Sequence, residues 1–224
     1  MSILKFKKLI FLILALFLPS NLNAEELILK NFGHSQFLIK GEGKSILINP
    51  FKAIGCASEL KESKNINKDF ILASSRLADE GYNPNNDLMF VDPGTYQFND
   101  LLLNGISIPH DRMNGRRYGM ATVWTWRQSN FKIVHMAGAA GPITFQDQIL
   151  INRPDILFIS IGGGNKSYSG KEAAEIIKEL NPKIIIPVHF LTSKNQNTIC
   201  QFTNSDQFIE NISGYKVRYV GKEF

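Results

Sequence analysis

The stretch GHSQFLIKGEGKSILINPF, residues 33–51, pairs two short β-rich runs across a turn. Residues 36–39 and 45–48 are the runs, and Gly41-Glu42-Gly43-Lys44 supplies the turn. With Leu27-Ile28-Leu29 just before them, the spacing predicts a three-stranded meander. Short apolar runs recur at residues 70–73, 88–91, 106–109, 121–126 and 131–136, the last two separated by Gln128-Ser129-Asn130. Residues 155–161 form another and end in Gly162-Gly163-Gly164, which reads as a tight strand-to-loop exit and lacks a phosphate-loop pattern. The clearest helix follows. Ser169 stands three residues before Glu172, a capping-box spacing, and Ala173, Ile176, Ile177 and Leu180 make one apolar face. Asn181-Pro182 stops it, and Ile184-Ile185-Ile186 then reads as a buried strand running to Pro187-Val188-His189. Further helices are expected at 144–152 and 206–212, and a last strand at 217–220. Strands mixed with helices, with no repeat and no linker, predict an α/β domain of mixed sheets covered by helices.

The chain has 224 residues, 44% hydrophobic and 20% charged. That suits one domain, residues 25–224, and excludes disordered and low-complexity classes. The first 24 residues read as a secretory signal peptide. Lys5, Lys7 and Lys8 precede LIFLILALFL at residues 9–18, and Leu22-Asn23-Ala24 offers a cleavage site. Ten apolar residues rise about 15 Å, half a bilayer core, so no stable membrane insertion is expected after cleavage. The expected location is outside the cytoplasm, with a bacterial periplasm the simplest compartment. The formal charge of +5 falls to 22 basic against 20 acidic residues once those three lysines are set aside. There is no basic stripe with interleaved aromatics, so nucleic acid is not an expected partner. Cys56 and Cys200 are either one long-range bridge or two separate thiols. Trp124 and Trp126 share strand parity and are expected in the core.

Four histidines, His34, His110, His135 and His189, lie in or just after β-like runs. Around them the sequence resembles the metallo-β-lactamase superfamily. The resemblance rests on residues 33–39 and 44–51, His110-Asp111 with residues 115–119, residues 132–136, Asp155-Ile156-Leu157, Ile161-Gly162-Gly163 and residues 182–189. The branch it most resembles contains the ascorbate-phosphate lactonase and other metal-dependent hydrolases. The fold this implies is an αββα sandwich, two mixed β-sheets flanked by helices.

Where that family carries HxHxDH, this chain reads Ser75-Arg76-Leu77-Ala78-Asp79-Glu80. Ser75 and Leu77 stand at two metal-histidine positions, Glu80 at a third, and Gly138 where a metal-bridging Asp belongs. His110 and His189 match. The resemblance thus implies that the site held by three histidines is gone. What remains for one divalent ion, Zn or Mn, is Asp79, Glu80, His110 and His189. Asp79 and His110 are the catalytic candidates if the site works. His34 is expected to set a turn under the site and His135 to hydrogen-bond a loop. Arg112, Arg116 and Arg117 are either anion contacts or solvated surface. Three readings compete: a non-catalytic or ligand-binding homologue, a mononuclear hydrolase of a lactone, ester or phosphoester, and a disulfide-held scaffold. The small-molecule ligand or substrate is not readable.

Overall fold

The meander is present. β1 (Ile28–Gly33), β2 (Gln36–Gly41) and β3 (Lys44–Ile48) pair antiparallel, and Glu42 and Gly43 turn the second hairpin at φ +51° and +68°. The computed structural model describes residues 26–193 and 200–224; the expected signal peptide lies outside them. β4 (Phe70–Leu72) and β5 (Met89–Phe90) continue this first sheet in parallel, in the order β1-β2-β3-β4-β5.

The second sheet is ordered β11-β10-β9-β8-β7-β6. It contains β6 (Gly94–Phe98), β7 (Leu101–Pro109), β8 (Met120–Gln128), β9 (Phe131–Met136), β10 (Ile156–Ser160) and β11 (Ile184–Val188). β6 to β9 run antiparallel, and β9, β10 and β11 are parallel. β10 is buried at all five residues, as a parallel strand covered on both faces should be. β6 and the first half of β7 were not expected from the sequence.

The sheets face each other across one apolar layer. Phe37, Ile39, Ile48 and Phe70 meet Leu103, Trp124, Ile133 and Phe158 there. Both tryptophans sit in this layer, and the Trp124 indole N–H donates to the Ala73 carbonyl at 2.9 Å.

The helices are α1 (Phe145–Ile151), α2 (Gly170–Leu180) and α3 (Asp206–Asn211). α1 and α2 both begin with complete capping boxes, on Thr144 and Asp147 and on Ser169 and Glu172. All three pack on the second sheet, with Ile151, Ala173, Ile177 and Phe208 against Val134, Leu157 and Ile159. The outer face of the first sheet, Leu38, Leu47 and Ile71, is covered instead by Ile66 from an irregular segment. That segment lacks an apolar 3.6-residue period, and it forms only a short 3-10 turn at Gly55–Ala57. Among the described residues, the helices therefore flank one sheet.

Residues 217–220 form no strand and are exposed. The outer edge of β1 is taken by the residues after them. Leu29 N–H donates to Phe224 O at 2.7 Å, Phe224 N–H to Leu29 O at 3.0 Å, and Asn31 N–H to Lys222 O at 2.6 Å. Cys56 and Cys200 are joined as a disulfide, with Cα atoms 5.5 Å apart.

Candidate functional site

The acidic pair sits on the turn that leaves β4. Glu80 and Gly81 donate their N–H groups to Leu77 O at 3.0 and 2.8 Å, which closes the turn. A side chain at Gly81 would bring Cβ to 2.1 Å from Ser75 O, so this close pass requires glycine. Asn49 pins the turn from β3: its side-chain oxygen accepts from Ser74 N–H at 2.7 Å, and its amide donates to Ser74 Oγ at 2.9 Å. His110 follows β7, His189 follows β11 at φ +51°, and His34 turns β1 into β2 at φ +54°. Strand ends thus deliver every member of the cluster to one end of the sandwich.

The structure brings Glu80, His110 and His189 together and places Asp79 beside them. Glu80 Oε2 lies 2.9 Å from His110 Nε2 and accepts from Ser75 Oγ at 3.1 Å. Its other oxygen is 3.7 Å from His189 Nε2. Asp79 Oδ2 stands 3.9 Å from His34 Nε2, and the His34 and His189 rings are 4.0 Å apart. Phe202 stacks on His189 at 5.9 Å. Ser75 therefore serves a carboxylate and makes no Ser–His pair.

The sequence reading missed Lys166. Its ammonium donates to Asp79 Oδ2 at 2.6 Å, lies 5.4 Å from the Tyr118 ring centre, and the residue is only 7% exposed. A lone lysine after three glycines gives no local signal of burial, since lysine is among the residue types least often buried. The glycines are the readable part. Gly163 and Gly164 have φ of +73° and +67°, and a Cβ on Gly162 would meet His189 O at 2.1 Å.

Electrostatics follow from this crowding. Burial pushes the Asp79 carboxyl up, but His34 and the Lys166 ammonium outweigh burial and Glu80 and hold it at about 2. Burial pushes Glu80 up too, and His110 and Lys166 hold it well below the usual carboxylate range. Burial lowers His110, but Glu80 outweighs it and the imidazole is raised. Burial, then His34, drives His189 well below the ordinary value, so it is neutral. Burial brings His135 down to about 4. Glu80 Oε1 and both ring nitrogens of His34, His135 and His189 have no hydrogen-bond partner. The polar group His135 meets is the backbone of Ser35 on the β1–β2 turn, outside strict hydrogen-bond geometry, and its ring lies against Phe158 at 5.4 Å.

The arginines divide. Arg112 is held by both oxygens of Glu172 and donates to Gly164 O at 3.0 Å and Ser167 O at 3.1 Å. It fastens the loop that carries Lys166. Arg117 lies over Tyr118 at 5.1 Å, and Arg116 is exposed. Asp111 organises their loop by accepting N–H bonds from Met113, Gly115, Arg117 and Tyr118.

A sequence model described as the beta-lactamase superfamily domain matches residues 28–189, which span every histidine and charged residue of this cluster. The chain belongs to the beta-lactamase superfamily. Solved structures of the same fold include one from Thermotoga maritima assigned as a Zn-dependent hydrolase of the metallo-beta-lactamase superfamily. It is 23% identical, with a TM-score of 0.70 over 89% of this chain and 91% of that one. A metallo hydrolase from the archaeon Ignicoccus hospitalis is 16% identical, with a TM-score of 0.60 over 88% and 98%. An isothiocyanate hydrolase from Delia radicum gut bacteria is 14% identical, with a TM-score of 0.59 over 80% and 90%. No curated protein matches the chain.

Two of these three structures are metal-dependent by name, which raises the question whether an ion fits the residues here. With Lys166 in place they do not fit one. Asp79 already holds an ammonium, and Glu80 Oε2 already carries His110 and Ser75. A Cβ built on Gly138 would stand 2.5 Å from Ser74 Cβ and 2.9 Å from Glu80 Oε2. Among the described residues, no three His, Cys, Asp or Glu side chains are grouped so as to hold a metal.

Proposed function

We propose that this chain is an exported superfamily member that keeps the fold without the dinuclear centre and acts as a non-catalytic, ligand-binding homologue. One observation carries the reading. The Glu80 carboxylate and Ser74 fill the space in front of Gly138, so no side chain, and hence no bridging carboxylate, fits there. Ser75 and Leu77 at the histidine positions that the family resemblance implies point the same way. The motifs at residues 33–51, 110–119 and 182–189 support placing the chain beside the lactonase-like branch. For export, the support is the basic and apolar leader at residues 1–24, together with the Cys56–Cys200 disulfide, a bond of oxidising compartments. The expected partner is a small molecule. A cleft of about 440 Å³, lined by Arg112, Ile143, Tyr168, Glu172 and Ile176 among others, offers volume for one.

A second reading, a hydrolase on a mononuclear metal at Asp79, Glu80, His110 and His189, draws on one observation. Glu80 Oε1 and His189 Nε2 face each other at 3.7 Å without hydrogen-bond partners. Elemental mass spectrometry of tag-free protein, dialysed against Zn and Mn, separates the two. Far less than one metal per chain is expected. About one per chain, lost in His189→Ala, overturns the proposal in favour of the hydrolase.

A further inference from the structure

The cluster contains two adjacent buried carboxylates, Asp79 and Glu80, with Glu80 fully inaccessible. Two such charges side by side cannot stay ionised in a poorly solvated pocket without positive charge beside them. In a metal centre the cation supplies that charge. Here a side chain does. We propose that the Lys166 ammonium is the resident cation of this site, holding the place that a divalent ion would otherwise take between the acidic pair and the histidines.

Three sets of contacts support it. Lys166 Nζ is bonded to Asp79 Oδ2 at 2.6 Å and is attracted by Glu80 as well. The loop that delivers it is built for that position. Gly163 N–H donates to Tyr168 O at 2.8 Å and Gly162 N–H to Ser167 Oγ at 3.0 Å, and a Cβ on Gly164 would meet Cys200 O at 2.3 Å. Arg112, anchored on Glu172, grips the carbonyls of Gly164 and Ser167 on either side of Lys166. The lysine is thus held from both flanks, and its pocket is closed by the Tyr118 ring. The atoms that a metal would claim, Glu80 Oε1 and the ring nitrogens of His34 and His189, are buried in the same cluster without hydrogen-bond partners.

The inference rests on the reading that no ion sits in the wild-type site, and the two fail separately. The test is thermal unfolding of the full chain, with and without Zn²⁺, in wild type, Lys166→Met, Asp79→Asn, the double variant and Lys166→Ala. Lys166→Met is expected to lose roughly 10 °C, because it strands a buried carboxylate, and Asp79→Asn in the same chain restores at least half of that. If Lys166→Met does not fold, recovery of a folded double variant is the same result. Zn²⁺ is expected to raise the Tm of Lys166→Ala and leave wild type unmoved, a response that a purely structural lysine would not produce. A Lys166→Met protein as stable as wild type overturns the inference, as does a loss that the double variant does not relieve or a Lys166→Ala protein indifferent to Zn²⁺. Those outcomes leave the proposed function standing. A wild-type Tm that rises with Zn²⁺ overturns the proposed function itself.

Discussion

His135 is a fully buried imidazole held neutral by its surroundings, which ties stability to acidity. The unfolded chain takes a proton near pH 6.5, and the folded chain refuses it until about 4. Within that window the unfolded state binds more protons, so stability falls as pH falls. The cost from this residue is about 3 kcal/mol by the lower end. His189 acts in the same direction, and His110, raised by Glu80, acts in the opposite one. Urea unfolding at pH 7 and pH 4.5 should therefore show a smaller loss for His135→Gln than for wild type; an equal loss would refute the assignment. The histidines were legible by residue type, and the acidic pair through the family resemblance at residues 75–80. Lys166 was not, because its partner lies 87 residues away and no local pattern marks a lysine as buried. The same distance hid the role of Arg112, whose Glu172 partner is 60 residues off.

Of the elements, α2 was the most readable, since its cap and apolar face are both written locally. The cap carries more than the helix. Glu172 Oε2 accepts from Ser169 N–H at 2.7 Å, Ser169 Oγ at 2.8 Å and Arg112 at 2.6 Å. Ser169→Ala should cost about 1 kcal/mol. Glu172→Ala should cost that and up to about 1 kcal/mol more, discounted because the Arg112 pair is partly exposed. Chemical denaturation of the two variants checks the order, and an equal cost would mean the arginine contributes nothing. Residues 217–220 misled because a strand-prone run says nothing about whether a sheet edge is free. The outer edge of β1 is taken instead by residues 222–224, just beyond the run. β6 and the start of β7 were hidden by Gly94, Asn104 and Gly105, which break the apolar pattern although the ladder runs through them.

The whole molecule is closed by two long-range devices. The Cys56–Cys200 bond spans a sequence separation of 144 residues, a loop whose closure is worth about 5 kcal/mol in the chain-entropy picture. Cys200→Ser, or reduction of the wild type, is expected to lower stability by roughly 3–5 kcal/mol in urea unfolding, while a change below about 1 kcal/mol would show the reduced chain to be already constrained. Mixed sheets covered by helices were legible in the alternation of short strands and one strong helix, and the two-sheet sandwich through the family resemblance. That the helices gather on one sheet was not, since a loop can cover an apolar face as well as a helix can. The second device is the pairing of Lys222–Phe224 with β1. A ribosome makes β1 about 190 residues before its outer neighbour, so the first sheet keeps a bare edge until residues 222–224 emerge. Any cut or insertion that displaces residues 222–224 re-exposes that edge, and a second chain could then dock there strand to strand, the first step towards aggregation.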